Sequence, residues 1–245
     1  MRIPVLIIAL MFSAGCKESK KDQLPPAARN EALSIEKAAD DHLQTEEKKK
    51  PADFLPKRFV LFDEVQGDLN NDGMDDDILI IKGTEKGKVI ADETRGKLDR
   101  NRRGIIVLLK TRDNSYKLVV ENKSCFSSEN EEGGTYYAPE LEVYAEKGNL
   151  FVHYAHGRYG YWMYTFQYRN SDFQLIGYDS SDNFCPVINS ETSINFLTGK
   201  KQFRENTNKG ADSGEEVFKE TWSKIKVQKP VVLSEIKDFD ELDLT

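Results

Sequence analysis

Leu141-Glu142-Val143-Tyr144-Ala145-Glu146-Lys147-Gly148-Asn149-Leu150-Phe151-Val152-His153-Tyr154 is the stretch whose reading decides the fold. Leu141, Val143 and Ala145 alternate with more polar neighbours, Lys147-Gly148-Asn149 supplies turn residues, and Leu150, Val152 and Tyr154 alternate back. Successive side chains of a strand point to opposite faces, so a period of two on either side of a glycine turn reads as a β-hairpin. One face of this hairpin is apolar and must lie on a core.

The same period continues outward. Trp162, Tyr164, Phe166 and Tyr168 fall on one face of the next strand, Arg169-Asn170-Ser171-Asp172 turns the chain, and residues 173–178 return as a second hairpin. Four aromatics at period two read as a core face rather than a platform for ligand. Residues 194–203 and 217–227 are expected to form a last strand pair. Upstream, residues 59–62, 78–81 and 116–120 are short apolar runs. Ile105-Ile106-Val107-Leu108-Leu109 has no polar alternation at all, which is expected of a strand covered on both faces. Many short strands, turns between them and no repeat at blade spacing predict a mostly β chain. The expected form is an antiparallel sheet, sandwich or barrel-like single domain over residues 58–245.

Ahead of that domain the composition changes. Met1-Arg2 begins the chain with a positive charge, residues 3–12 are apolar but short, and Ser13-Ala14-Gly15 precede Cys16. Small residues mark a signal-peptide cleavage site. With the cysteine that follows, the stretch resembles the bacterial lipobox, where lipoprotein signal peptidase cuts before a diacylglycerylated cysteine. The resemblance implies a signal peptide over residues 1–15, a lipid on Cys16 and an exported protein anchored to a bacterial membrane. Lys17, where inner-membrane retention would place Asp, points to the outer membrane by similarity to proteobacterial lipoproteins. Residues 16–57 carry blocks of opposite charge, Pro25-Pro26, Pro51 and Pro56, and too few apolar residues to offset ordering entropy. They read as a flexible tether.

The 245 residues carry a formal net charge of -7, which argues against nucleic acid as a partner, since that needs a clustered basic surface. Beyond the first residues no apolar run approaches the roughly 20 residues of a spanning helix.

One motif carries chemistry. Asp68-Leu69-Asn70-Asn71-Asp72-Gly73-Met74-Asp75-Asp76 fits D-x-N-x-D-G-x-x-D. Calcium takes six to eight oxygens from carboxylates, amides and carbonyls. The expected ligands are Asp68, Asn70 and Asp72 at alternate positions, the Met74 carbonyl after the turn that Gly73 permits, and Asp76 closing the shell. The bidentate Glu of an EF-hand is absent, since that place is Leu79 inside a strand. A calcium loop between two strands resembles those of FG-GAP and VCBS-type extracellular β modules, and implies a structural ion. A turn built from Asp, Asn and Gly without metal is the plainer alternative. More widely, Gly67-Asp68-Leu69-Asn70, Phe166-Gln167-Tyr168-Arg169, Leu175-Ile176-Gly177 and Asn195-Phe196-Leu197-Thr198-Gly199 resemble a family of uncharacterised bacterial exported proteins. That resemblance implies a fold unit and a location, not an activity.

With Cys16 acylated, Cys125 and Cys185 remain as an even pair in an oxidising compartment, and a disulfide between them is expected. His153 and His156, three apart on a strand, face opposite ways and do not share an ion. No HExxH, CxxC or GxSxG pattern is present.

The leading expectation is a membrane-anchored, non-enzymatic lipoprotein whose calcium-stabilised β domain binds a partner protein or glycan in the cell envelope. One alternative is an envelope hydrolase of polysaccharide or cell wall using loop acids such as Glu129, Glu131 and Glu132. Another is a structural subunit docking through the acidic segment 231–244, whose alternation equally suits an edge strand.

Overall fold

The structure is a computed structural model that describes residues 47–130, 139–226 and 229–244. Cys16, the expected signal peptide and the expected tether up to residue 46 lie outside them. The described residues build two antiparallel sheets and a small hairpin, all within the unit Thr45–Thr245. The first sheet has five strands: β1 (Glu47–Lys48), β2 (Phe59–Gly67), β3 (Asp76–Gly83), β6 (Arg103–Lys110) and β7 (Tyr116–Phe126), in the order β1-β7-β6-β3-β2. Between β3 and β6, β4 (Val89–Asp92) and β5 (Gly96–Asp99) pair with each other. The second sheet is a seven-stranded meander. It comprises β8 (Glu140–Glu146), β9 (Asn149–Ala155), β10 (Gly160–Arg169), β11 (Asp172–Phe184), β12 (Val187–Asn195), β13 (Lys200–Asn206) and β14 (Phe218–Lys224).

The alternation read from the sequence fixes which face of each strand is covered. Val143, Val152 and Tyr164 are cross-strand partners on β8, β9 and β10, and all three are buried. They pack against Ile78, Ile80, Ile105, Val107 and Val120 of the five-stranded sheet in one core cluster. Tyr164 and Phe166 are core residues and Trp162 and Tyr168 pack at its margin, so the aromatic strand presents a core face. The edges of the two sheets meet where β2 ends: a Cβ on Gly67 would lie 2.6 Å from the Ala145 Cβ of β8, so only glycine permits this approach.

Three sequence expectations change. Residues 47–57, which the sequence places in the tether, belong to the fold. β1 pairs with Tyr116 and Lys117, Pro51–Phe54 is a 3-10 turn, and Phe54 is buried on the outer face of the five-stranded sheet with Leu79, Ile81, Ile106 and Leu108. A doubly apolar β6 requires a second cover, and this short proline-bounded segment provides it.

The strand expected over 194–203 is instead the β12–β13 hairpin. The Asn195 side-chain oxygen accepts the Thr198 N–H (3.0 Å), and Gly199 takes φ 64. The strand then returns to pair with β14, as the last pair was expected to do.

The segment 231–244 is neither an edge strand nor a free docking tail. Leu233, Ile236 and Phe239 are buried in the main core. Asn122 on β7 donates through Nδ2 to the Leu233 and Ile236 carbonyls (2.9 and 2.7 Å), and the Phe239 N–H donates to the Cys125 carbonyl (3.0 Å). On the other side the Leu175 N–H of β11 bonds the Val231 carbonyl (2.9 Å). The segment is a strap between β7 and β11, and Phe239 stacks on Phe126 at 5.2 Å and meets Tyr164 edge-on at 4.9 Å.

Candidate functional site

The D-x-N-x-D-G-x-x-D residues form the β2–β3 connection. Asp68 accepts the N–H groups of Asp72 (Oδ1, 3.0 Å) and Gly73 (Oδ2, 2.9 Å). Asn70 Oδ1 accepts the same Asp72 N–H at 3.0 Å, and its amide donates to Asp72 Oδ2 at 2.9 Å. Met74 donates its N–H to Asp72 Oδ1 (2.9 Å). The turn needs Asn71 at φ 59 and Gly73 at φ 86, left-handed conformations that Asn and Gly adopt most readily. The β8–β9 turn packs on it, since a Cβ on Gly148 would lie 2.4 Å from Asn71 Nδ2.

Asp76 differs from the rest of the loop. It is 0% exposed, and its two oxygens accept the N–H groups of Leu69 and Lys110, each at 2.9 Å, tying the loop to the end of β6. Burial is the largest influence on this carboxyl and pushes its pKa up to about 6. The two N–H bonds pull it down, and the negative charges of Asp72 and Asp68 push it up further. No Lys or Arg side chain makes an ion pair with Asp68, Asp72 or Asp76 among the described residues.

The loop therefore gathers oxygen donors around a buried acid with no cation of its own. Among the described residues, no three His, Cys, Asp or Glu side chains are grouped tightly enough to hold an ion as they stand. The loop oxygens instead face backbone N–H groups and the Asn70 side-chain amide. An ionised carboxylate offers about four lone-pair positions. Asp68, Asp72 and Asp76 each spend two on these bonds, so the donor set fits a hard cation in kind and keeps acceptor capacity for one. Calcium there would be held by Asp68, Asn70, Asp72, Asp76 and the Met74 carbonyl, and would neutralise the charge that now raises Asp76.

A second arrangement lies on the outward face of the seven-stranded sheet. Glu142, Tyr144, His153, Tyr161 and Met163 line an open groove of about 480 Å³. Tyr144 stacks on its cross-strand partner Phe151 at 4.8 Å and 8°, and its hydroxyl donates to Met163 Sδ at 3.3 Å. His153 Nδ1 lies 3.3 Å from Glu142 Oε2, and its ring meets Tyr161 edge-on at 5.6 Å. Partial burial raises the Tyr161 hydroxyl pKa, and the charges of Asp179 and Glu191 add to it. The core-facing aromatics of β10 drew the sequence reading, whereas the groove uses the residues between them. The signal available was that Tyr144, Phe151, Tyr161 and Met163 occupy positions where a solvent face ordinarily carries polar residues.

The remaining expected site residues stay apart. Cys125 and Cys185 do not form the expected disulfide, and both are free thiols. Cys125 is enclosed in the core beneath the strap, which bonds its carbonyl. Cys185 occupies the tip of the β11–β12 hairpin at φ 54, next to the 70% exposed Phe184. His156 leaves the strand and meets Trp162 (6.1 Å), away from the His153 pairing with Glu142. Glu129 is taken up by Lys82 at 2.6 Å, while Glu131 and Glu132 lie outside the described residues. Compared with known proteins, the chain matches no family model, no curated protein and no solved structure.

Proposed function

We propose that the chain is an exported lipoprotein, acylated at Cys16, that carries a calcium-stabilised β-sandwich as a non-enzymatic binding module in the cell envelope. The observation that carries the calcium reading is Asp76. A fully buried carboxylate, raised by burial and by two neighbouring acids, gains most from a bound divalent cation. The lipobox-like Ser13-Ala14-Gly15-Cys16 supports the anchor, and the charged residues that follow support a spacer of about 30 residues between lipid and fold. The uncovered aromatic groove supports binding, because a solvent face seldom spends aromatic side chains without a partner.

The test is thermal unfolding of the full chain in EDTA and in rising calcium, beside Asp72→Ala. An ion bound only by the folded state adds about 2.7 kcal/mol at a hundredfold excess over Kd, and extracellular sites of this kind have Kd values of about 0.1 to 1 mM. For a domain of this size that raises the midpoint by roughly 5 to 10 °C. A midpoint that does not move in the wild type would remove calcium from the proposal. Loss of radiolabelled acyl incorporation in Cys16→Ser is the expected result for the anchor; unchanged incorporation removes it.

A further inference from the structure

The registers of the seven-stranded sheet align its outward side chains into rows that run across the strands. Glu142, His153, Met163, Asp179, Ser193 and Gln202 are successive cross-strand partners from β8 to β13. The neighbouring row runs Tyr161, Ser181, Glu191, Arg204. Their alternate neighbours Val143, Val152, Tyr164 and Ile194 are buried, so both rows face away from the core. At the β8–β10 end the rows carry aromatic rings and a thioether beside Glu142 and His153, and from β11 onward they carry carboxylates, hydroxyls, an amide and the Arg204 guanidinium.

The chemistry of these rows selects among ligands. Arg204, the guanidinium of the two rows, is closed on Glu191 and on the Phe218 ring (4.3 Å), so phosphate or anionic lipid finds no free cation in them. A protein interface concentrates affinity in desolvated pockets and keeps charge out of its centre. Here Asp179 sits in the middle of the row, Glu142 lines the groove at its β8 end, and the groove is open. A ligand with apolar ring faces and many hydroxyls suits both halves. Its C–H faces lie on aromatic and thioether surface, and its hydroxyls donate to carboxylates and exchange bonds with serine. Side chains in such a row repeat at the strand spacing of about 4.8 Å, which is of the same order as the repeat of an extended pyranose chain.

We propose that the outward face of the seven-stranded sheet binds a neutral oligosaccharide. The sugar lies across β8 to β12, with ring faces on Tyr161, Met163 and the Tyr144–Phe151 pair and hydroxyls on Glu142, Asp179 and Ser193. This rests on the reading of the domain as a binding module and names its ligand class and site.

The experiment uses the full chain with Cys16→Ser, purified in a detergent without a sugar headgroup. Cellohexaose, chitohexaose, mannohexaose and maltohexaose are titrated calorimetrically. At least one is expected to bind with Kd below about 1 mM. Tyr161→Ala is expected to weaken it at least tenfold, and Asp179→Asn at least fivefold, with Val60→Ser on the other sheet binding as wild type. Each variant's thermal transition is recorded so that a misfolded one is not counted. Absence of binding by all four at about 10 mM, or binding that neither folded variant weakens, overturns the assignment. If the sugars fail while calcium still raises the unfolding midpoint, the glycan falls and the calcium-stabilised module stands. If the midpoint is also unmoved, both fall.

Discussion

Strands β3 and β6 of the five-stranded sheet are buried on both faces, whereas β9 of the seven-stranded sheet is buried on one. Along β6 every residue from Arg103 to Leu109 is buried, while along β9 buried residues alternate with half-exposed ones. The first pattern leaves no side chain free to meet a ligand, and the second releases every other residue from packing. Under the proposed binding function, stability and recognition fall to different sheets, and the strap 231–244 belongs with the first, because its apolar residues fill the core between them.

The largest effect separating these roles is expected at the strap. Phe239 is 2% exposed and touches Phe126, Tyr154, Tyr164 and Phe166. Phe239→Ala leaves a cavity in that aromatic group and is expected to cost about 3 to 5 kcal/mol. Phe151→Ser, on the outward face, is expected to cost less than about 1 kcal/mol, since its partner ring stays half in solvent. Urea unfolding of both variants measures the pair. Equal losses would mean that the outward aromatics are structural, and would weaken the case for a binding face.

A smaller effect, of opposite sign to ordinary acid denaturation, is expected at the loop. Asp76 ionises near pH 6 in the fold and near its ordinary 3.8 when unfolded. Between those values the folded chain holds the extra proton, so stability without calcium falls as pH rises from about 4 to about 6 and then levels. The gap corresponds to about 3 kcal/mol at most. Glu64, raised by burial and by Asp77, adds in the same direction. Asp92 and Asp99, both lowered to about 2, act below this window. Urea unfolding in EDTA at pH 4 and pH 6.5 reads the difference, and Asp76→Asn should reduce it. A stability that rises over this range in the wild type contradicts the account.

Strands were legible wherever one face was buried, because alternation then has to appear in the residues themselves. The hairpins at 141–154 and 162–178 follow directly from it. The cover of β6 was not legible, since Phe54 lies among prolines and lysines and only the doubly apolar β6 implied that something must pack there. The strap was ambiguous for a related reason. Its apolar residues, Leu233, Ile236 and Phe239, are spaced by three and fit neither strand nor long helix, and their places are set by Asn122 and the Cys125 carbonyl more than 100 residues earlier in the chain. The loop donors were legible as residue types because their spacing is local. The burial of Asp76 was not, because it depends on the N–H of Lys110.

The smallest expected effect concerns the cysteines, and it decides how the two sheets are joined. A bond from Cys125 to Cys185 would close a loop of about 60 residues, and its reduction would cost up to about 4 kcal/mol in the chain-entropy model. The structure instead joins the sheets through the core and the strap, with both thiols free. Burial pushes the Cys125 thiol far above its usual range, so it is neither nucleophilic nor accessible in the folded chain. Reductant is therefore expected to leave the thermal midpoint unchanged. A thiol reagent should modify Cys185 in the native Cys16→Ser chain and Cys125 only on unfolding. A midpoint that drops with reductant, or a native chain with no reactive thiol, would show the two residues bonded. The hairpin tip of the seven-stranded sheet would then be tied to the core end of β7, and the division between a packing sheet and a free recognition face would have to be redrawn.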